Sequence, residues 1–174
     1  IRVNGRQHTA TMHYIDNYGY IPMWVLVKVL SFGIMAEFYD ILKLEDQAEI
    51  AKVYKIRPEI MEMYLSLLSN FRNVCAHEDI LYDHRTQRLI PDTEYHHKLN
   101  IPQIDDIYRY GKNDLFSLVI IMKYLLRDEE FTEMINEIKY EVDILDEKVD
   151  TVSLESILNK IGFPSNWYAI KKLD

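Results

Sequence analysis

An all-α fold, a bundle of about five to seven helices, is what this sequence predicts, and three observations predict it. Glycine and proline are scarce, five of each in 174 residues, while 48% of the residues are hydrophobic. That composition suits packed helices better than a turn-rich sandwich, collagen or disorder. Apolar residues recur at helical spacing in successive segments. No run reads as a strand, and no repeat, linker or low-complexity segment divides the chain. Residues 1–174 therefore read as one domain, long enough to bury a core. The chain begins at Ile1 rather than Met, so the expectation is a piece of a longer protein lacking its N-terminal part.

Residues 1–20 are polar and aromatic and read as irregular or partly helical. Pro22 suits a first helical turn. From Met23 to about Leu42 the spacing predicts a helix that is apolar nearly all round and hence buried, with Trp24, Val27, Leu30 and Ile34 along one side. A second helix is expected from about Glu45 to Tyr54, grouping Ile50, Val53 and Tyr54. Pro58 opens the next, PEIMEMYLSLLSNFRNVCAH, with Ile60, Tyr64, Leu67, Leu68 and Phe71 as its core stripe.

The stretch 79–112 is the least regular, punctuated by Pro91, Pro102 and Gly111. A connection of that length is more often functional than idle. Asn113 is the expected N-cap of DLFSLVIIMKYLL, with Asp114 favourable in its first turn. Thr132 and Glu133 open TEMINEIKYEVDIL. A short helix, SLESILNKI, stops at Gly162, and GFPSNWYAIKKL returns apolar side chains to the body.

The formal charge is −8, which argues against non-specific nucleic-acid binding by bulk charge. The excess is local. Residues 128–174 hold 12 acids and 5 bases, whereas residues 1–127 hold 16 and 15. That leaves room for a basic groove in the first part. The acidic run DEEFTEMINEIKYEVDILDEKVD reads as a solvated helix face, or one that docks a basic partner. The single cysteine, Cys75, permits no intrachain disulfide, and with no secretory signal it predicts a reducing, cytoplasmic setting. The longest apolar stretch carries Lys28 and Glu37 and is too short to span a membrane.

One segment stands apart chemically. NFRNVCAHEDILYDHR, residues 70–85, places Arg72, Asn73 and His77 at the end of an apolar helix. Asn73 and His77 are four apart and share a face. Arg72 lies about 140° from His77 on an ideal helix, so the two converge only through arginine reach, a distorted helix end, or a second copy of the chain. These residue types suit RNA cleavage without a metal or other cofactor. Histidine moves protons near neutral pH, and a guanidinium holds two phosphate oxygens and stabilises transition-state charge. Asn73 would orient the imidazole or bond the phosphate.

The same set also fits a polar helix terminus, where the dipole favours Arg and His. With 8 Arg and 6 His in the chain, one such spacing is expected by chance about 0.3 times. Looser spacings also occur at Arg2/His8 and Arg6/His13. His96 and His97 read as exposed loop residues, because zinc-ligand spacings are absent. His84, Arg85 and Arg88 read equally as substrate-holding or as solvated loop. Trp24 and Trp167 read as core aromatics. The 13 tyrosines suit packing or base stacking. No P-loop, GxGxxG or serine-nucleophile pattern is present.

FRNVCAHEDILYD resembles the RN-x-x-AH segment of the Abi-like (abortive infection) family of bacterial proteins, within the HEPN superfamily. IPMWVLVKVLSFGIMAEFYDIL and IGFPSNWYAI resemble two further segments of that family, in the same order. The resemblance implies an all-helical HEPN-like dimer and a metal-independent endoribonuclease site with Arg72 and His77 catalytic and Asn73 between them. It also implies a role in phage defence or a toxin–antitoxin system, with an RNA substrate and an antitoxin or regulatory RNA as a further partner. Glu78 and Asp79 depart from the family, whose members often have a polar or basic run there. The alternative is a non-catalytic helical module that binds RNA or protein, with RNVCAH structural.

Overall fold

The computed structural model describes residues 9–173. The looser pair Arg2/His8 lies outside the described residues, as does Arg6. The fold is all-α. Its order is α1 (Thr9–Tyr18), α2 (Met23–Leu26), α3 (Phe32–Asp40), α4 (Leu44–Val53), α5 (Pro58–Ala76), α6 (Glu94–Lys98), α7 (Leu115–Leu125), α8 (Asp128–Lys148), α9 (Leu154–Ile161) and a closing 3-10 helix, Trp167–Lys172. The only strands among the described residues, β1 (Gln103–Ile104) and β2 (Ile107–Tyr108), pair antiparallel. Their link, Asp105 and Asp106, has positive φ at both positions, as a tight hairpin turn requires. No helix among the described residues is long and apolar enough to cross a membrane.

α5 and α7 form the spine. Tyr64, Leu67 and Phe71 of α5 meet Phe116, Val119, Ile120 and Ile121 of α7 in one core, as the stripe along α5 predicts. Phe131 and Ile135 of α8, Leu158 of α9 and Phe163, Trp167 and Ile170 of the tail close it. Trp167 is thus the core aromatic expected. Each element begins where local chemistry allows. Pro58 stands in the first turn of α5. Ser153 caps α9 by accepting from the Ser156 N–H. Gly162 ends α9 at φ +96°.

The N-terminal third departs from expectation. The single helix over 23–42 is two, because Ser31 takes an extended ψ of 157° and caps α3 by accepting from the Ile34 N–H. The break destroys the common stripe. Trp24 is 67% exposed, and Val27 and Ile34 are exposed too, so this stretch is not the buried helix that its composition suggests. Trp24 packs edge-on against Tyr14 of α1 (6.5 Å) rather than in the core. α4 likewise turns Ile50, Val53 and Tyr54 outward and buries Ala51 and Gln47. The Gln47 amide donates to the Tyr39 and Asp40 carbonyls, satisfying the end of α3.

The segment 79–112 is irregular but anchored. Ile90, Leu99 and Ile101 are buried in the main core. His96 is fully buried, not an exposed loop residue. Its Nδ1 accepts from the Thr93 N–H (3.1 Å) and its Nε2 bonds the Gly111 carbonyl (3.0 Å). Burial pulls its pKa down, against the hydrogen bond to Gly111, so it stays neutral and structural. His97 is exposed, as expected. The cap of α7 is Asp114, one residue later than Asn113; its carboxylate accepts from the Ser117 and Gly111 N–H groups. Burial pushes the Asp114 carboxyl up to about 6 despite those donors. α8 starts at Asp128, ahead of Thr132. Its long acidic face is solvated along Glu129, Glu133, Glu137 and Glu141.

Candidate functional site

The RNVCAH segment is the last turn of α5. The helix does not bend there. The His77 N–H donates to the Asn73 carbonyl at 3.0 Å, the ordinary helical bond, and His77 is the C-cap. The Asp79 N–H then reaches back to the Val74 carbonyl (3.1 Å), with Glu78 between them at φ +57°. That six-to-one bond around a left-handed residue is the Schellman stop. It accounts for the place of Glu78 but not for its type. Glycine is the usual residue there, and a carboxylate at a helix C-terminus opposes the dipole. Glu78→Gly should therefore raise stability by about 1 kcal/mol, read as a higher midpoint in urea. An unchanged or lower midpoint would mean that the Glu78 side chain stabilises the turn.

Arg72, Asn73 and His77 are all exposed. The Arg72 guanidinium donates to Asn73 Oδ1 at 3.2 Å, and no hydrogen bond joins it to His77 among the described residues. Because α5 stays regular, its two faces can be read by rotation at 100° per residue. Met61, Leu65, Leu68 and Arg72 fall within about 60° of arc, and Ser66, Asn70, Asn73 and His77 within about 60° on the other side. The first face borders an apolar groove of about 460 Å³ shared with Phe32, Tyr54 and Met122, in which Arg72 is the one charged wall residue. The second face is polar.

The polar face has a neighbour that the motif did not reveal. His84 lies against it, its Nε2 2.6 Å from Asn70 Oδ1 and its ring edge-on to Phe71 at 5.3 Å. Arg85 donates to the Lys160 carbonyl at the end of α9 (2.6 Å) and to the His84 carbonyl (3.0 Å). Arg88 keeps a loose ion pair with Glu62 at 3.7 Å. The helical repeat Ser66, Asn70, Asn73, His77 was the available signal in the sequence. The contact with His84, fourteen residues from Asn70, depends on the path of the loop. Among the described residues no group of three or more His, Cys, Asp or Glu is placed to hold a metal ion.

A family model described as Abi-like protein matches residues 2–83. No curated protein and no solved structure matches the chain. The matched stretch contains two of the three resembling segments and the whole of Arg72, Asn73 and His77, while the third, near Gly162, lies beyond it. Residues 2–83, just under half of the chain, are therefore similar to the Abi-like protein family.

Proposed function

We propose that this chain is an effector of abortive infection, or the toxin of a toxin–antitoxin pair, that cuts RNA without a metal and works as a pair of copies of HEPN type. The similarity of residues 2–83 to the Abi-like protein family supports the defence role. The observation that carries the chemistry is the end of α5: Asn73 and His77 exposed on one face, Arg72 exposed on the other beside an uncovered apolar groove. A second copy covering that groove would bury apolar surface and bring its own helix end towards Arg72. In the reaction, the ribose 2′-hydroxyl attacks phosphorus and the P–O5′ bond breaks. His77 takes the 2′-hydroxyl proton and then returns it to the leaving 5′-oxygen. Arg72 balances the charge on the pentavalent phosphorus. Asn73 holds Arg72 in place and can turn to the phosphate. An antitoxin or regulatory RNA would act by occupying this end of the molecule.

The test is cleavage of a mixed RNA pool with EDTA present, comparing the parent with His77→Ala and Arg72→Ala. Each variant should lose about 10²–10⁴-fold in rate. Equal rates in all three would remove both residues from the reaction. The second reading, a non-catalytic RNA- or protein-binding module, draws on Glu78 and Asp79, two exposed acids directly after His77. It would gain from a parent that binds RNA but leaves it intact.

A further inference from the structure

The polar face of α5 does not end at His77. Along it, between Ser66 and Asn70 on one side and the segment 84–88 on the other, runs a cleft of about 340 Å³. Its wall contains His84, Arg85 and Arg88 and not one carboxylate, in a chain with 28 acids against 20 bases. Glu62 is paired with Arg88 and Asp83 with Lys160, and Asp114, which feels the Arg85 charge, is buried. Arg85 uses only part of its donor capacity on the two carbonyls, since a guanidinium carries five N–H groups. Asn70 bonds the His84 ring and Phe71 packs edge-on against it, so the imidazole has two fixed neighbours on α5.

We propose that this cleft is a track for the sugar–phosphate backbone of single-stranded RNA, leading from His84, Arg85 and Arg88 along α5 to His77. The inference rests on the ribonuclease reading of His77 and extends it to how the strand is held. Asn70 and His77 are seven residues apart on one helix face, about 10 Å along the axis. At about 3.4 Å per stacked nucleotide, that places the cleft roughly three nucleotides from the scissile phosphate. The wall offers donors to phosphate and hydroxyl oxygens and no aromatic platform open for stacking. Recognition there is by backbone charge and not by base.

The experiment uses the whole chain and a fluorescent 12-nucleotide RNA with every 2′-hydroxyl methylated, which can bind but cannot be cut. Arg88→Ala should weaken binding about three- to tenfold and reduce the slope of log affinity against log salt by about 0.7. Arg127→Ala removes the same charge at the start of α8, outside the cleft, and should leave both readings at the parent values. Arg88 is 66% exposed with one loose partner, so its loss does not threaten folding. Equal losses in the two variants, or no loss in Arg88→Ala, would overturn the track, as would a parent that binds no RNA. Cleavage of the unmethylated RNA is scored alongside. A parent that binds through Arg88 but does not cut leaves the track and removes the ribonuclease reading. A parent that cuts with Arg88→Ala undiminished does the reverse.

Discussion

Co-expression of Arg72→Ala and His77→Ala chains will restore RNA cleavage that neither variant has alone. The reason is the straightness of α5. Its helical hydrogen bond from His77 to Asn73 is intact at 3.0 Å, so about 140° of rotation separates Arg72 from His77. The helix is regular through Ala76 and departs from helical angles only at the His77 cap, so no distortion before the cap draws the two together. Arginine reach is opposed by the bond that turns the Arg72 guanidinium to Asn73. The proposed site pairs Arg72 of one copy with His77 of the other. In a mixed pair, one such site has both residues and the other has neither. Pairs purified through both tags are all mixed, so their activity should return to about half of the parent value in a two-fold assembly. The check is cleavage rate after co-expression with two different affinity tags, purified through both. If the doubly tagged pair forms and stays inactive, the cross-copy site is wrong.

The sequence carried what depends on neighbours in the chain. Pro58, Ser153 and Gly162 mark helix ends through backbone chemistry that acts within a few residues, and all three stand where expected. The core stripe of α5 was legible because Tyr64, Leu67 and Phe71 keep one helical period over an unbroken helix. The stripe through Trp24, Val27 and Ile34 was not, because one serine cap at Ser31 resets the rotation between its two halves. Spacing cannot report a break that a side-chain hydrogen bond makes. His96 failed for a different cause. Its burial depends on Thr93 and on the Gly111 carbonyl, fifteen residues on, and no local pattern marks that pairing. The candidate site divides the same way. The separation of Arg72 from His77 followed from helical arithmetic alone. The His84 and Asn70 contact required the loop to fold back. Glu78 became partly intelligible only as the left-handed residue of a helix stop.

Gly162→Ala should be the most damaging single methyl addition in the described chain. Gly162 sits at φ +96°, and a Cβ there would lie 2.3 Å from Cγ of Asp114. Asp114 is not free to yield. It is 2% exposed, caps α7 through Ser117, and accepts both carboxylate contacts from the Gly111 N–H at 3.0 Å. The left-handed backbone costs about 1–2 kcal/mol for an L side chain, and forced overpacking about 1–3 kcal/mol more. A loss of about 2–5 kcal/mol should lower Tm by about 5–15 °C in a chain of this length. Gly19→Ala isolates the two causes. It too has a positive φ, +73°, but nothing lies within 4 Å of its added Cβ, so it should lose only the backbone part, a fall of a few degrees. Calorimetry on both variants decides between them. Equal falls would mean that Asp114 moves aside at little cost. A much larger fall at Gly162 would show that α9 is seated against the α7 cap, and with it the Lys160 carbonyl on which Arg85 is anchored.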